Sequence, residues 1–370
     1  GYVIGPNGLE IVTDQSSIDS ISVIGLLLLL FVIGLEIDLK QVLGSGKAIL
    51  VTGAVQIVGT ALLGLATLKV LELPPEAGRF APLYLAIASF ASSTVVAVKL
   101  LADKRELGTL AGRLAIGVSV LQDIAVITFL GMQPALDSPG VATVALTFLK
   151  IGALISAALG ASRFVLPTLF HRVATLPELV VVGALAWCFV IAALAERLGL
   201  SREMGALVAG VALSTFPYHL DVTAKLTSLR DFFITLFFVG LGLLVPAPEW
   251  SPVAGALLLG GFVVVSRLLT VMAPLQLLRM GNRVSFVTSL NLLPLSEFAL
   301  VLITLGVSAG HVSREVLAPV VYAFFILAIV GSYAINGSER LFLAVDPLLR
   351  RLGLRDRPAT AAPDPGAPAV

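Results

Sequence analysis

Long apolar runs separated by short polar segments dominate the chain. About 20 consecutive apolar residues in an α-helix cross the hydrocarbon core of a bilayer. Eleven runs approach or exceed this length, and each contains few charged residues. The pattern therefore predicts an all-α polytopic membrane protein with spans at residues 18–38, 47–71, 80–101, 114–135, 141–165, 179–195, 203–217, 229–245, 252–278, 284–307 and 316–336.

Lys and Arg are distributed unequally between the loops that join these spans. One alternating set of loops, together with the C-terminal segment, carries sixteen of the 24 basic residues, whereas the other set carries four. Short cytoplasmic loops concentrate positive charge. The asymmetry supports the division into eleven spans, because one missed or added helix would remove it, and it predicts a cytoplasmic C-terminus.

Composition excludes several classes of protein. The chain is 58% hydrophobic and 13% charged, against about 45–50% and about 25% in soluble domains. A net charge of +1 gives no indication of a nucleic-acid partner. One cysteine, Cys188, excludes a disulfide framework and a thiolate metal cluster. The sequence contains no phosphate-binding loop of the type that binds ATP. No cofactor and no enzyme active site are expected.

The two ends of the chain differ from its middle. Residues 1–12 resemble the tail of a further helix interrupted by Gly5 and Pro6. After Asn336 comes an amphipathic stretch followed by a Pro/Ala-rich segment, whose composition predicts disorder. We therefore predict a transmembrane domain over 1–336 and a cytoplasmic segment over 337–370. The three histidines, His171, His219 and His311, are expected in loops rather than as pH sensors.

Asp123 is the most informative polar residue, because no other ionisable group lies between Arg113 and Asp137. A charge at mid-membrane costs a few kcal/mol or more and usually lines a pathway. Ser119 lies on the same helical face, and Gln122 is offset by about 100° but can turn toward a shared cavity. These oxygens suit a monovalent cation or a proton. The alternative is a protonated Asp123 that only joins two helices by a hydrogen bond.

Arg267 and Glu297 are two further charges deep within spans. Each needs a partner, because an unpaired buried charge is strongly destabilising. We expect Arg267 to pair with Glu297 or with Asp123. A permanent salt bridge between helices and direct participation in transport remain equal alternatives for Glu297.

Two spans are predicted to be discontinuous. Pro294 removes a backbone donor in the middle of one span. The other span contains a polar cluster of hydroxyl side chains at Ser89, Ser92, Ser93 and Thr94. Broken helices in corresponding positions of two halves mark the binding site of many secondary transporters.

With these residues in place, the chain resembles the membrane domain of the cation:proton antiporter-2 family, which contains the Kef-type potassium efflux systems and bacterial sodium/proton antiporters. Six stretches carry the resemblance, in the family's order: GYVIGPNGL; LLFVIGLEIDL; ASSTVVAVKLL with DKRELGTLAGR; LQDIAVI; MGALVAGVALS with LFFVGLGLLV; and SEFALVL, which Arg267 precedes by thirty residues. The chain departs from the Kef-type pattern at Leu293 and Pro294, where a Gly-Gln pair is usual.

The resemblance implies a 13-helix fold with inverted repeats, two crossed broken helices and a dimerisation domain beside a mobile core. The resemblance implies that residue 1 falls within the second helix of such a fold. It also implies that Asp123 is the ion-binding carboxylate, that Gln122 is its neutral neighbour, and that Arg267 and Glu297 form the charge network of the core. Thr94 and Ser93 match polar positions at the first crossing. A homodimer in the bilayer of a bacterial inner membrane is expected.

From these residues we expect exchange of K⁺ or Na⁺ for protons by alternating access. Gln122 stands where electrogenic relatives are thought to have a second carboxylate, so electroneutral exchange is expected. Two alternatives remain open: a cation channel or uniporter that uses the same acidic site, and an assembly subunit that has lost transport.

Overall fold

The structure, a computed structural model, describes residues 1–6, 8–12, 46–71, 73–133, 141–167, 177–214 and 249–351, with shorter runs between 24 and 35 and between 232 and 243 and the single residue 136. Apart from one isolated β-bridge, regular structure in these ranges is helical. The α-helices are α1 Lys47–Val70, α2 Ala81–Phe90, α3 Thr94–Asp103, α4 Leu110–Met132, α5 Val141–Phe164, α6 Pro177–Arg197, α7 Arg202–Ser214, α8 Trp250–Leu277, α9 Asn282–Asn291, α10 Glu297–Ser308, α11 Leu317–Asn336 and α12 Ser338–Arg351.

Six described helices are long and apolar enough to cross a membrane, namely α1, α4, α5, α6, α8 and α11. They fall on six of the predicted spans. Helix α8 contains a π-helical turn at Leu268–Met272, directly after Arg267. The predicted spans 18–38 and 229–245 lie largely outside the described residues, as do His171, His219 and the tail 352–370.

Two predicted spans are broken, as their sequences indicated. Residues 80–101 fold as α2 and α3, and residues 284–307 fold as α9 and α10. Helices of 10 to 12 residues extend only about 15–18 Å, roughly half of the ~30 Å hydrocarbon core. Each broken pair therefore supplies one passage through the membrane, with its interruption at mid-depth.

The chain divides into two compact units, of which one consists of residues 41–126 and 248–370. Within this unit a long helix, a broken pair and a second long helix occur twice, as α1 to α4 and as α8 to α11. Helix α1 packs on α2, α8 packs on α11, and α10 contacts both α2 and α11. This repetition agrees with the predicted repeat architecture.

Helix α12 gives the predicted amphipathic segment a definite place in the same unit. Its apolar side chains Phe342 and Leu349 are buried against Met272, Phe286 and Leu290. At its start, the ammonium of Lys104 donates to the carbonyl of Ile335 at 2.9 Å and to the Ser338 hydroxyl. Residues 338–351 thus pack on the core of the unit.

The other unit consists of residues 1–40 and 127–247. Its core contains Phe31, Met204 and the buried Cys188. A Cβ added to Gly210 would lie 2.0 Å from the carbonyl oxygen of Phe31 and 2.8 Å from the Cα of Gly34. Helix α7 and the helical residues near position 31 therefore approach each other closely because glycine occupies the contact.

We predict that Gly210→Ala lowers the melting temperature of the purified protein, because the added methyl group must displace backbone atoms. Overpacking of this kind costs about 1–3 kcal/mol. Gly152→Ala is the matched control, since nothing lies within 4 Å of its added Cβ, and alanine is the better helix former. Equal melting temperatures for the two variants would contradict the close contact.

Candidate functional site

The two helix interruptions cross each other. Residues 91–93 and 292–296 are not helical, and Ser92 and Leu295 form an isolated antiparallel bridge. The amide of Ser93 donates to the carbonyl of Pro294 at 2.8 Å, and the amide of Ser296 donates to that of Ala91 at 3.2 Å. Each unwound segment thus satisfies part of the backbone of the other, as a bilayer interior requires.

Local sequence explains why the helices begin again after the crossing. Ser93 is the N-cap of α3, and its hydroxyl accepts from the amide of Val96. Ser296 is the N-cap of α10 and accepts from the amide of Phe298. Serine is a strong N-cap because its oxygen satisfies an amide that has no partner within the helix. Pro294 also lacks the amide hydrogen that would continue α9.

Arg267 lies behind the crossing and is fully buried, with 0% exposure. Its Nε donates to the carbonyl of Leu292 at 3.0 Å, and its Nη2 donates to the carbonyls of Ser89 and Phe90 at 2.9 and 3.0 Å. These carbonyls belong to the C-terminal ends of α9 and α2. The ends of helices at which carbonyls lack partners carry partial negative charge, which the guanidinium offsets.

This arrangement corrects the expected pairing of Arg267 with a carboxylate. Within the described residues its partners are backbone carbonyls, and neither Asp123 nor Glu297 forms a salt bridge with it. The sequence prediction considered only charged side chains as partners for Arg267. The carbonyls at a helix C-terminus also carry partial negative charge and can bind a cation. Nη1 of Arg267 is buried and has no partner in the described part of the chain.

The two acidic groups lie near the N-terminal ends of α3 and α10. Thr94 and Glu297 are the first residues of α3 and α10. The Thr94 hydroxyl donates to Oδ2 of Asp123 at 2.9 Å, and the Ser93 hydroxyl donates to Oε2 of Glu297 at 3.2 Å. Both carboxylates thus accept hydrogen bonds from the two residues at the start of α3. Helix N-termini attract anions, so the crossing separates the cationic group from the acidic pair.

Asp123 is 7% exposed on α4, and its second oxygen, Oδ1, is buried without a hydrogen-bond partner among the described residues. One turn earlier, the Ser119 hydroxyl is also buried and unpartnered in the same described set. Buried polar atoms normally have partners. The sequence predicted that both groups lie on one face of the helix. In the structure the Ser119 hydroxyl and Oδ1 of Asp123 do not form a hydrogen bond with each other.

Gln122 is held by the crossing rather than turned toward Asp123. Its Oε1 accepts from the amide of Ser92 at 2.9 Å. Because an amide hydrogen can only donate, this contact fixes the orientation of the side-chain amide. Gln122 therefore satisfies one backbone group of the unwound segment, and its carbonyl oxygen keeps one lone pair for a further partner.

Sequence reasoning missed the residues that support the crossing from α1. Gln56 donates from Nε2 to the carbonyl of Phe90 at 3.1 Å, and Thr60 bonds to the hydroxyl of Thr270 on α8 at 3.1 Å. Both are fully buried polar residues within an apolar span. Their four-residue spacing is the signal that would have placed them on one internal face.

His311 also differs from its sequence interpretation. It lies in a loop, as predicted, but it is buried and its Nδ1 bonds to the Tyr84 hydroxyl at 2.8 Å. The ring of Phe80 packs edge-on against it. His311 therefore joins α2 and the residue before it to the loop after α10.

A family model described as "Sodium/hydrogen exchanger, transmembrane" matches residues 1–338. K(+) efflux antiporter 4 of Arabidopsis thaliana is 28% identical over 314 residues, which are 82% of this chain and 52% of the relative. The glutathione-regulated potassium-efflux system protein KefC of Escherichia coli (strain K12) is 33% identical over 287 residues, which are 75% of this chain and 46% of the relative.

The chain thus spans about half the length of the curated relatives it matches. Among solved structures, the sodium proton antiporter MjNhaP1 from Methanocaldococcus jannaschii at pH 8 superposes with a TM-score of 0.67 at 18% identity. The superposition covers 92% of this chain and 89% of that one. At this level of identity the likeness concerns the fold, which is that of an antiporter membrane domain.

We predict that Arg267→Met lowers the melting temperature of the detergent-purified protein by more than any substitution of an exposed arginine. The Ser89 carbonyl loses the donor that Arg267 supplies, at a cost of about 1–3 kcal/mol. The carbonyls of Phe90 and Leu292 each lose one donor and keep Gln56 and the Ser92 hydroxyl, respectively. Arg314→Met, at an exposed loop position, is the matched control. Arg267→Lys is expected to fall between them, because one ammonium cannot reproduce the planar fork. Wild-type stability of Arg267→Met would contradict the assigned contacts.

Proposed function

The chain belongs to the sodium/hydrogen exchanger family, and on that premise we propose that it is a secondary transporter that exchanges a monovalent cation for protons. The observation that carries the proposal is Asp123, buried at mid-span with one oxygen bonded to Thr94 and the other unpartnered among the described residues. A deep, incompletely satisfied carboxylate is costly to keep. Binding of a proton or a cation offsets that cost.

One carboxylate that takes either a proton or a cation, but not both, is sufficient for exchange. If both loaded forms reorient and the bare anion does not, movement in one direction requires movement in the other. The N-termini of α3 and α10 supply fixed positive partial charge near the carboxylates. Ser93, Thr94 and Ser119 are proposed to contribute hydroxyl oxygens to the cation.

The remaining site residues have proposed supporting roles. Gln122 holds the unwound segment through Ser92 and retains a lone pair that can face the ion. Arg267 is a fixed positive charge that keeps the ends of α2 and α9 together. Glu297, bonded to Ser93, is proposed either to adjust the charge at Asp123 or to serve only structure.

Electroneutral exchange, one cation for one proton, follows if Asp123 alone exchanges its ligand. Gln122 is neutral at the neighbouring position, and Arg267 contacts backbone rather than a carboxylate that must be released. The charge carried on Asp123 is then compensated in either loaded form. We therefore propose that the membrane potential does not drive the cycle.

The cation is proposed to be K⁺ or Na⁺. The names of two relatives refer to potassium efflux, and the solved structure is named as a sodium proton antiporter. We further propose alternating access between the two sides, a homodimer in the lipid bilayer, a bacterial inner-membrane location and a cytoplasmic C-terminus. The excess of basic residues in one set of loops supports the orientation.

We predict that Asp123→Asn abolishes cation/proton exchange in proteoliposomes, because an amide cannot alternate between proton and cation. The measurement is dequenching of an internal pH dye after addition of Li⁺, Na⁺, K⁺ or Rb⁺. Asp103→Asn, at the exposed end of α3, is the matched control and should retain exchange. Full activity of Asp123→Asn would refute the assignment, and cation flux without proton movement in the wild type would indicate a channel or uniporter.

We predict that the rate of Na⁺/H⁺ exchange changes little when a membrane potential is imposed with valinomycin and a K⁺ gradient. One-for-one exchange moves no net charge across the membrane in each cycle. Glu297→Gln is expected to keep the potential independence whichever role Glu297 has. Two measurements on that variant separate the two roles. If Glu297 is only structural, Glu297→Gln lowers the melting temperature and leaves the pH dependence of exchange unchanged. If Glu297 adjusts the charge at Asp123, the pH dependence of exchange shifts. Strong acceleration of the wild type by an inside-negative potential would contradict one-for-one exchange.

A further inference from the structure

A cavity of about 400 Å³ lies in the unit that contains the crossing, away from Asp123. Its walls come from α1 and α8, with α2 behind them and the start of α11 at one end. Ligand sites in proteins commonly have volumes of about 300–1,000 Å³. None of the roles proposed above uses this space.

The side walls are apolar along the helix axes. On α1 and just beyond it, Leu68 and Leu71 line the cavity, and on α8 it is lined by Leu258, Leu259 and Phe262. Leu71 and Leu258 are more than half exposed, at 53% and 61%, so the walls continue into the outer surface of the helices. A space of this form matches a flexible hydrocarbon chain better than a compact polar molecule.

Three polar side chains line the outer end of the cavity. Ser251, Ser313 and Glu315 lie at or near the start of α8 and of α11, where helices meet water. The hydroxyl oxygen of Ser313 is buried and has no partner among the described residues. Trp250, beside Ser251, is 78% exposed, and tryptophan is enriched at the membrane interface. The cavity therefore begins at the interface and extends into the hydrocarbon region.

We propose that this cavity binds one acyl chain of a bilayer phospholipid, with the polar part of the lipid at Ser313 and Glu315. The polarity along the cavity has the same order as the polarity along a lipid, from the interface inward. A phospholipid is the occupant that is always present at this depth. The unpartnered Ser313 hydroxyl is placed to donate to an ester or phosphate oxygen.

The inner end of the cavity connects the lipid with the crossing. Leu85 and Ser89, near the C-terminal end of α2, line this end. The carbonyl of Ser89 accepts from Arg267 at 2.9 Å, and its hydroxyl donates to the carbonyl of Leu85. A chain that fills the cavity thus packs against the helix end that Arg267 holds. Occupancy is expected to stabilise that end, whether or not the protein exchanges cations for protons.

The test is photolabelling of the whole protein in vesicles of phosphatidylethanolamine and phosphatidylglycerol. The vesicles carry a small fraction of phospholipid with a diazirine within one acyl chain, and labelled residues are located by mass spectrometry. We expect several-fold more label on residues 64–71 and 255–262 than on the exposed face of α11 at Phe325 and Ile329. Equal labelling of all lipid-facing helices would overturn the proposal.

A pair of variants makes the comparison specific. Leu68→Trp fills the cavity, whereas Leu62→Trp adds the same side chain at an exposed position of α1 that does not line it. Leu68→Trp should reduce label on residues 255–262 several-fold, and Leu62→Trp should leave it unchanged. Unchanged label in both variants, or loss in both, would contradict a defined site.

Thermal stability gives a second measurement if Leu68→Trp folds poorly. Adding phospholipid to the detergent-purified wild type should raise its melting temperature, and Ser313→Ala should reduce that rise because it removes the polar contact. Ser308→Ala, at an exposed position, is the matched control. An equal rise in melting temperature in both serine variants would show that Ser313 does not contact the lipid.

Discussion

The contact between Arg267 and three backbone carbonyls is the constraint on which the rest of the core depends. Interrupting a helix within a bilayer exposes carbonyls and amides that find no water there. Two interruptions that cross satisfy a few of these groups mutually, through Ser93, Pro294, Ser296 and Ala91. The remaining carbonyls at the ends of α2 and α9 converge on one guanidinium. A planar group with five donors suits this task better than an ammonium.

The same arrangement determines where negative charge is tolerated. Because the carbonyl ends face Arg267, the amide ends of α3 and α10 face the opposite side of the crossing, together with Asp123 and Glu297. Formal charges of opposite sign are therefore separated by helix ends rather than joined in a salt bridge. In the exchange proposed above, such a carboxylate can release its ligand without first breaking a salt bridge to an arginine.

Support for the crossing comes from outside the two broken helices. Gln122 on α4 binds an amide of one interruption, and Gln56 on α1 binds a carbonyl at the end of α2. The apolar cavity between α1 and α8 reaches that same helix end through Ser89. The C-terminal end of helix α2 thus joins two features of the unit: the arginine and the surface at which we propose that a lipid binds.

The sequence by itself determined the helical class, the membrane-spanning character and the two interruptions, and it singled out polar residues that the structure places near the crossing. Hydrophobic run length, Pro294 and the serine cluster are local properties, and a lone carboxylate such as Asp123 is conspicuous in any apolar run. Only the tertiary structure decided the partners. Arg267 bonds to carbonyls, Gln122 turns to Ser92, and His311 is buried against Tyr84. Almost every residue carries the same backbone amide and carbonyl, so a sequence does not indicate which of these groups will bind a given side chain. That is decided only when the chain is folded.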